Sequence, residues 1–129
     1  MLQILLHLIG DYLLQNDWMA ARKTRFDLEG WLACSIHSIL YTLPFMFFFT
    51  PTTCAIILVT HFLIDKFQLA LYWIKLINWR KESTNYGFSD KKPVWVALWL
   101  FVIIDNSFHL IINYAAICYF SLYNCSCVQ

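Results

Sequence analysis

The stretch His61-Phe62-Leu63-Ile64-Asp65 lies in a run, Thr53 to Leu71, that is otherwise mostly apolar. It sets a histidine and a carboxylate four residues apart, and on a helix such positions share a face. The pair recurs at His7 and Asp11 and, in reversed order, at Asp105 and His109. The fourth histidine, His37, stands alone in another apolar segment. No histidine lies outside these hydrophobic segments. Ionisable groups inside membrane segments are costly, and their presence points to function. The pattern therefore predicts an all-α integral membrane protein, a four-helix bundle with a polar His/Asp core that binds metal.

Composition agrees. Of 129 residues 60% are hydrophobic, 19% aromatic and only 13% charged, whereas soluble domains carry roughly 25% charged residues. The formal net charge of +1 gives nucleic-acid binding no electrostatic support. Among Cys34, Cys54, Cys118, Cys125 and Cys127 no CxxC occurs, which argues against a zinc-finger or thioredoxin-type site. They read as free thiols or packing residues.

A single transmembrane domain covers residues 1–129, with spans at about 2–20, 31–49, 53–74 and 94–120. Leu2–Leu14 lacks a basic leader and a cleavage site, so it is not read as a signal peptide. It reaches the ~20 residues of a span only by continuing to about Ala20. Its stripe Gln3, His7, Asp11, Gln15 must face protein or water; the alternative is a helix lying on the membrane surface. Thr50-Pro51-Thr52 reads as a turn. Ser89 or Asp90 would cap a helix beginning near Pro93. Of the nine basic residues, three lie in Arg22–Gly30 and four in Asn78–Pro93. The positive-inside rule places both loops in the cytoplasm and both termini outside, in a multi-pass protein of the bacterial inner membrane.

Depth tests whether the polar groups meet. At ~1.5 Å per helical residue, His37 lies about 10 Å from the cytoplasmic end of its span. On the same scale His7 and Asp11 lie roughly 6–16 Å in, Asp65 about 12–18 Å and Asp105 about 17 Å, with His61 and His109 each ~6 Å deeper. These bands overlap near the middle of a ~30 Å core. The candidate metal ligands are His7, Asp11, His37, His61, Asp65, Asp105 and His109, enough for one ion or for two with a bridging aspartate. Imidazole with carboxylate suits Zn first, then Mn or Fe. Gln15, Tyr41, Gln68 and Asn106 would orient the ligands from behind. Lys66 either snorkels to the cytoplasmic surface or meets an anionic substrate. A proton relay or a purely structural polar core would use the same residues.

The motifs His7-Leu8-Ile9-Gly10-Asp11 through Gln15, Asp17-Trp18-Met19-Ala20 with Lys23, His37 with Tyr41-Thr42, His61-Phe62-Leu63-Ile64-Asp65, and Asp105 with His109 resemble a family of small phage and bacterial integral membrane proteins of unknown function. That family reads Asp-Gln at the last motif, where this chain has Asp105-Asn106. A looser resemblance, to membrane-bound metal-dependent hydrolases, implies the seven residues as metal ligands.

The expected function is a membrane-embedded metal-dependent hydrolase. It would act on a lipid or a small phosphorylated substrate from the cytoplasmic side, with Asp11 as general base and Lys23, Lys66, Arg22 and Arg25 near the anion. One alternative is a divalent-cation or small-solute transporter or channel. Another is a non-enzymatic phage membrane protein, holin-like or an exclusion factor. Haem binding ranks below these. The expected partner is the lipid bilayer; the four spans either form a complete bundle or need a second copy, as a homo-oligomer, to close the site from lipid.

Overall fold

A computed structural model describes residues 1–121, and the Cys125/Cys127 pair lies outside that range. All regular structure among the described residues is helical. The chain runs through α1 (Leu2–Leu8), a π-helical segment (Ile9–Leu13), α2 (Asp17–Arg22), α3 (Leu28–Thr42), a 3₁₀ segment (Leu43–Phe47), α4 (Pro51–Lys66), α5 (Leu69–Ile77) and α6 (Val94–Ser121).

Local chemistry sets the boundaries. The side chains of Asn16, Asp27 and Thr50 accept from the backbone N–H of Met19 (2.9 Å), Gly30 (2.8 Å) and Thr53 (3.3 Å), capping α2, α3 and α4. Such caps satisfy donors that a helix start leaves open. Pro51 occupies the first turn of α4, where its missing N–H is harmless. Pro44 falls where α3 tightens into the 3₁₀ segment. The start of α6 differs from the expected Ser89 or Asp90 cap: the Pro93 carbonyl accepts from Val96 and Ala97. Ser89 instead accepts from Lys91 N–H, while the buried Asn85 amide donates to the carbonyls of Ser89 (3.0 Å) and Lys92 (2.9 Å).

The helical class holds, and the span count is coarser than four. Leu28–Phe47 and Val94–Phe120 are long and apolar enough to cross a membrane. The expected third span is broken: α4 and α5 meet at 56°. Gln68 there takes a left-handed conformation (φ 49°), which ends the α4 hydrogen-bond ladder. The first stretch is interrupted as well, because Leu14 N–H bonds back to Ile9 and α2 restarts from its Asn16 cap.

α4 is central, packed against α3 and α6, with α1 and α5 also against α6 and α2 against α3. Small residues at helix contacts let backbones approach closely, and Ala33, Cys34, Ala70 and Ala97 are completely buried. Gly10 lets the π segment meet α3: a Cβ there would stand 2.5 Å from Tyr41 Cδ2. An apolar cluster of Leu6, Tyr41, Phe45, Cys54, Ile57 and Ala116 packs beyond the polar layer. α6 presents Trp95, Trp99, Ile103, Ile111 and Tyr114 outward, as a lipid-facing helix would. Cys34, Cys54 and Cys118 are free thiols.

Candidate metal centre

The helices bring the three His/Asp pairs and His37 to one level. α4 supplies His61 and Asp65 from one face, α3 supplies His37, α6 supplies Asp105 and His109, and the π segment supplies Asp11. π-helical turns often mark functional sites, since the extra residue re-aims side chains.

Two groups of side chains could each hold a metal ion: Asp11, His37 and His61; and Asp65, Asp105 and His109. Asp65 lies between them. Its Oδ2 is 3.1 Å from His37 Nε2 and 3.4 Å from His61 Nε2, while its Oδ1 is 3.4 Å from His109 Nε2. Asp11 Oδ1 lies 3.3 Å from His37 Nε2 and 3.6 Å from His61 Nε2, and the two Nε2 atoms are 3.0 Å apart.

Two nitrogens and two oxygens thus outline a cage. Five of its six edges run from 3.0 to 3.6 Å, around the roughly 3.3–3.4 Å of a tetrahedral ion with ligands at ~2.0–2.1 Å; the two carboxylates fall in different groups. Calcium, with six to eight oxygens at ~2.3–2.6 Å, does not match. Buried Asp11 Oδ1 forms no hydrogen bond with the described residues. Buried polar atoms are nearly always paired, so this oxygen favours a cation.

His7 reaches the site but has both ring nitrogens engaged. A directional chain accounts for every proton: Asn113 Nδ2 donates to Tyr41 Oη (2.6 Å), Tyr41 Oη donates to His7 Nδ1 (2.9 Å), and His7 Nε2 donates to Asn106 Oδ1 (2.6 Å). Asn106 Nδ2 then donates to Tyr12 Oη (2.8 Å) and the Val102 carbonyl (2.6 Å). His7 therefore belongs to neither metal group, although Asp11 Oδ2 lies 3.3 Å from its Nδ1. Tyr41 also stacks on His61, ring centroids 3.6 Å apart and planes 12° apart. Tyr41 and Asn106 thus take supporting places, and Asn113 joins them. The i+4 step from His109 to Asn113 was the available sequence signal for the last.

The two lysines part company. Lys23 Nζ donates to Asp65 Oδ2 at 2.8 Å and lies 3.5 Å from His37 Nε2. Burial works against its ammonium, but Asp65 and then Asp11 outweigh that and hold its pKa above the ordinary lysine value. Lys66, expected at the surface or on substrate, is completely buried. It donates to the carbonyls of Arg25 (2.5 Å) and Lys23 (3.4 Å), and its ammonium lies 4.4 Å from the Trp31 ring centroid. Its role is to fasten the α2–α3 turn onto α4, because burial leaves it neither water nor ligand to meet. Arg22 pairs with Glu29, and Arg25 with Asp27. The Gly30 N–H on its carboxylate, then Arg25, hold Asp27 below the usual carboxylate range.

A cavity of about 390 Å³ opens beside the cage. Asp11, Lys23, Asp65, Asp105, Gln15 and Gln68 give it polar wall, and Leu71, Tyr86, Phe101 and Val102 give it apolar wall. Asp11 and Asp105 side chains are 13% and 25% exposed. The Asp11 oxygens face His7 and His37, so Asp105 is the carboxylate more open to the cavity.

A family model described as "Protein of unknown function (DUF3307)" matches residues 1–128. No curated protein and no solved structure matches the chain.

Proposed function

The chain belongs to this family of unknown function, and from that premise we propose that it is a membrane-embedded metal-dependent hydrolase. The observation that carries the reading is a cluster of imidazoles and carboxylates that could hold a metal ion, with its Asp11 and Asp65 lining a mainly apolar cavity that has a polar wall. A divalent ion there, zinc first by its mixed imidazole–carboxylate donors, would polarise a phosphoryl or acyl oxygen and bring a water towards neutral pKa.

The chain's own groups do the rest. Asp105 takes up the water proton at the cavity wall, the geometry favouring it over Asp11. Lys23 exchanges its bond to Asp65 for an anionic group entering the cavity. Tyr86, Phe101 and Leu71 hold an apolar tail, so the substrate is a lipid or a small phosphorylated compound reached from the cytoplasmic side. The protein sits multi-pass in the bacterial cytoplasmic membrane, the two basic loops inward. The test is turnover of lipid and small phosphoesters by purified, zinc-loaded protein. Hydrolysis lost in Asp105→Asn with zinc retained is expected; no turnover across the panel by metal-loaded wild type removes the hydrolase.

One observation favours a second reading, divalent-cation transport. Helices broken near a midplane site mark many transporters, and α4 breaks three residues after Asp65, at Gln68. Zinc entering protein-loaded vesicles would select that reading.

A further inference from the structure

We propose that the centre holds one ion, in the cage of Asp11, His37, His61 and Asp65, and that His109 is a positioning residue rather than a second metal's ligand. The inference rests on the metal-centre reading above and deepens it. The observation behind it is the contact between His61 Nδ1 and His109 Nδ1, 3.1 Å apart and buried.

A neutral imidazole carries one N–H and one lone pair. An ion in the cage takes the lone pair of His61 Nε2, so the His61 proton must sit on Nδ1. That N–H faces His109 Nδ1, which must then accept, and the His109 proton sits on Nε2. A protonated Nε2 has no lone pair for a metal. It faces Asp65 Oδ1 at 3.4 Å and Asp105 Oδ2 at 3.7 Å, both acceptors. Ion, His61, His109 and carboxylates thus form one series with every proton assigned, an arrangement that orients ligating histidines elsewhere.

The two groups therefore exclude each other. Filling both through His61 Nε2 and His109 Nε2 would set two N–H groups against each other at 3.1 Å. Turning a ring aside is obstructed: His61 is stacked on Tyr41, and both histidines are 1% exposed.

The test uses the full chain in detergent, stripped with chelator and reloaded with zinc. Elemental analysis is combined with nitrogen NMR of ring-labelled histidine. One zinc per chain at saturation is expected, with His109 protonated at Nε2 and bare at Nδ1. His61→Ala should abolish binding, whereas His109→Ala should weaken it about 10- to 100-fold and keep a stoichiometry of one. Should His109→Ala not fold, Asp105→Asn serves instead, with one zinc retained.

Two zinc ions per chain, or a metal-bound signature at His109 Nε2, would overturn the single-ion proposal while leaving a metal centre standing. So would loss of zinc in Asp105→Asn, or His109→Ala abolishing binding as fully as His61→Ala. No zinc in folded wild type would overturn the metal centre itself.

Discussion

Removing one oxygen tests the proton-ordered chain behind the site. In Tyr41→Phe the ring remains and can still stack on His61, but the hydroxyl that bonds His7 (2.9 Å) and Asn113 (2.6 Å) is gone. All three residues are at most 1% exposed, so water cannot replace it. His7 keeps its Nε2 proton on Asn106 Oδ1 (2.6 Å) and loses only the donor to Nδ1. Asn113 Nδ2 loses its acceptor on Tyr41, and an unsatisfied buried donor costs about 1–3 kcal/mol. A destabilisation of about 2 kcal/mol is therefore expected. Asn113→Leu alone should cost about 1 kcal/mol, since the Tyr41 hydroxyl keeps its bond to His7. The double variant should cost about 2 kcal/mol rather than 3, because no donor is then stranded, a coupling of about 1 kcal/mol. Equilibrium unfolding in mixed detergent micelles measures all four corners. Strict additivity, or Tyr41→Phe within about 0.5 kcal/mol of wild type, would refute the chain of donors.

Lys66→Met strands the Arg25 carbonyl and should cost about 1–3 kcal/mol, with faster tryptic cleavage after Lys23 and Arg25; an unchanged cleavage rate would show that Lys66 does not fasten the turn. Gly10→Ala drives a methyl into Tyr41 and should cost about 1–3 kcal/mol of overpacking, read as a lowered unfolding midpoint; a neutral result would remove the close approach. Asp27 has its folded pKa depressed by Gly30 N–H and Arg25, so its cap stabilises α3 fully above the unfolded value near ~3.9 and is lost as pH falls through the lower folded value. Titration of its carboxyl carbon by NMR should place its midpoint below that of an unstructured aspartate, and a midpoint at or above it would contradict the cap.

Much of the site was legible because it is periodic. His61 and Asp65 lie on one face of α4, and Asp105 and His109 on one face of α6, as their i+4 spacing requires. The two clearest candidate spans, Leu28–Phe47 and Val94–Phe120, follow from apolar length alone. What escaped is what a helical period does not contain. The i+4 rule set His7 beside Asp11 but could not say that Asn106 and Tyr41 take both its nitrogens. Lys66 looked like a surface group because lysines usually snorkel. Its burial follows from the α2–α3 turn folding carbonyls over it. The break at Gln68 had no glycine or proline to announce it.

By itself the sequence determined the helical class and the i+4 pairing of histidines with aspartates, because each depends on composition and spacing within one segment. Tertiary structure alone decided which atoms meet. The two oxygens of Asp65 face different neighbours, the π segment carries Asp11 up to His37 and His61, and Lys23 arrives from a loop. The physical reason is scale. A metal cage is specified to a few tenths of an ångström, whereas sequence places a residue along a helix only to a turn or so. The rotation, bending and close approach that make up the difference are properties of packed helices.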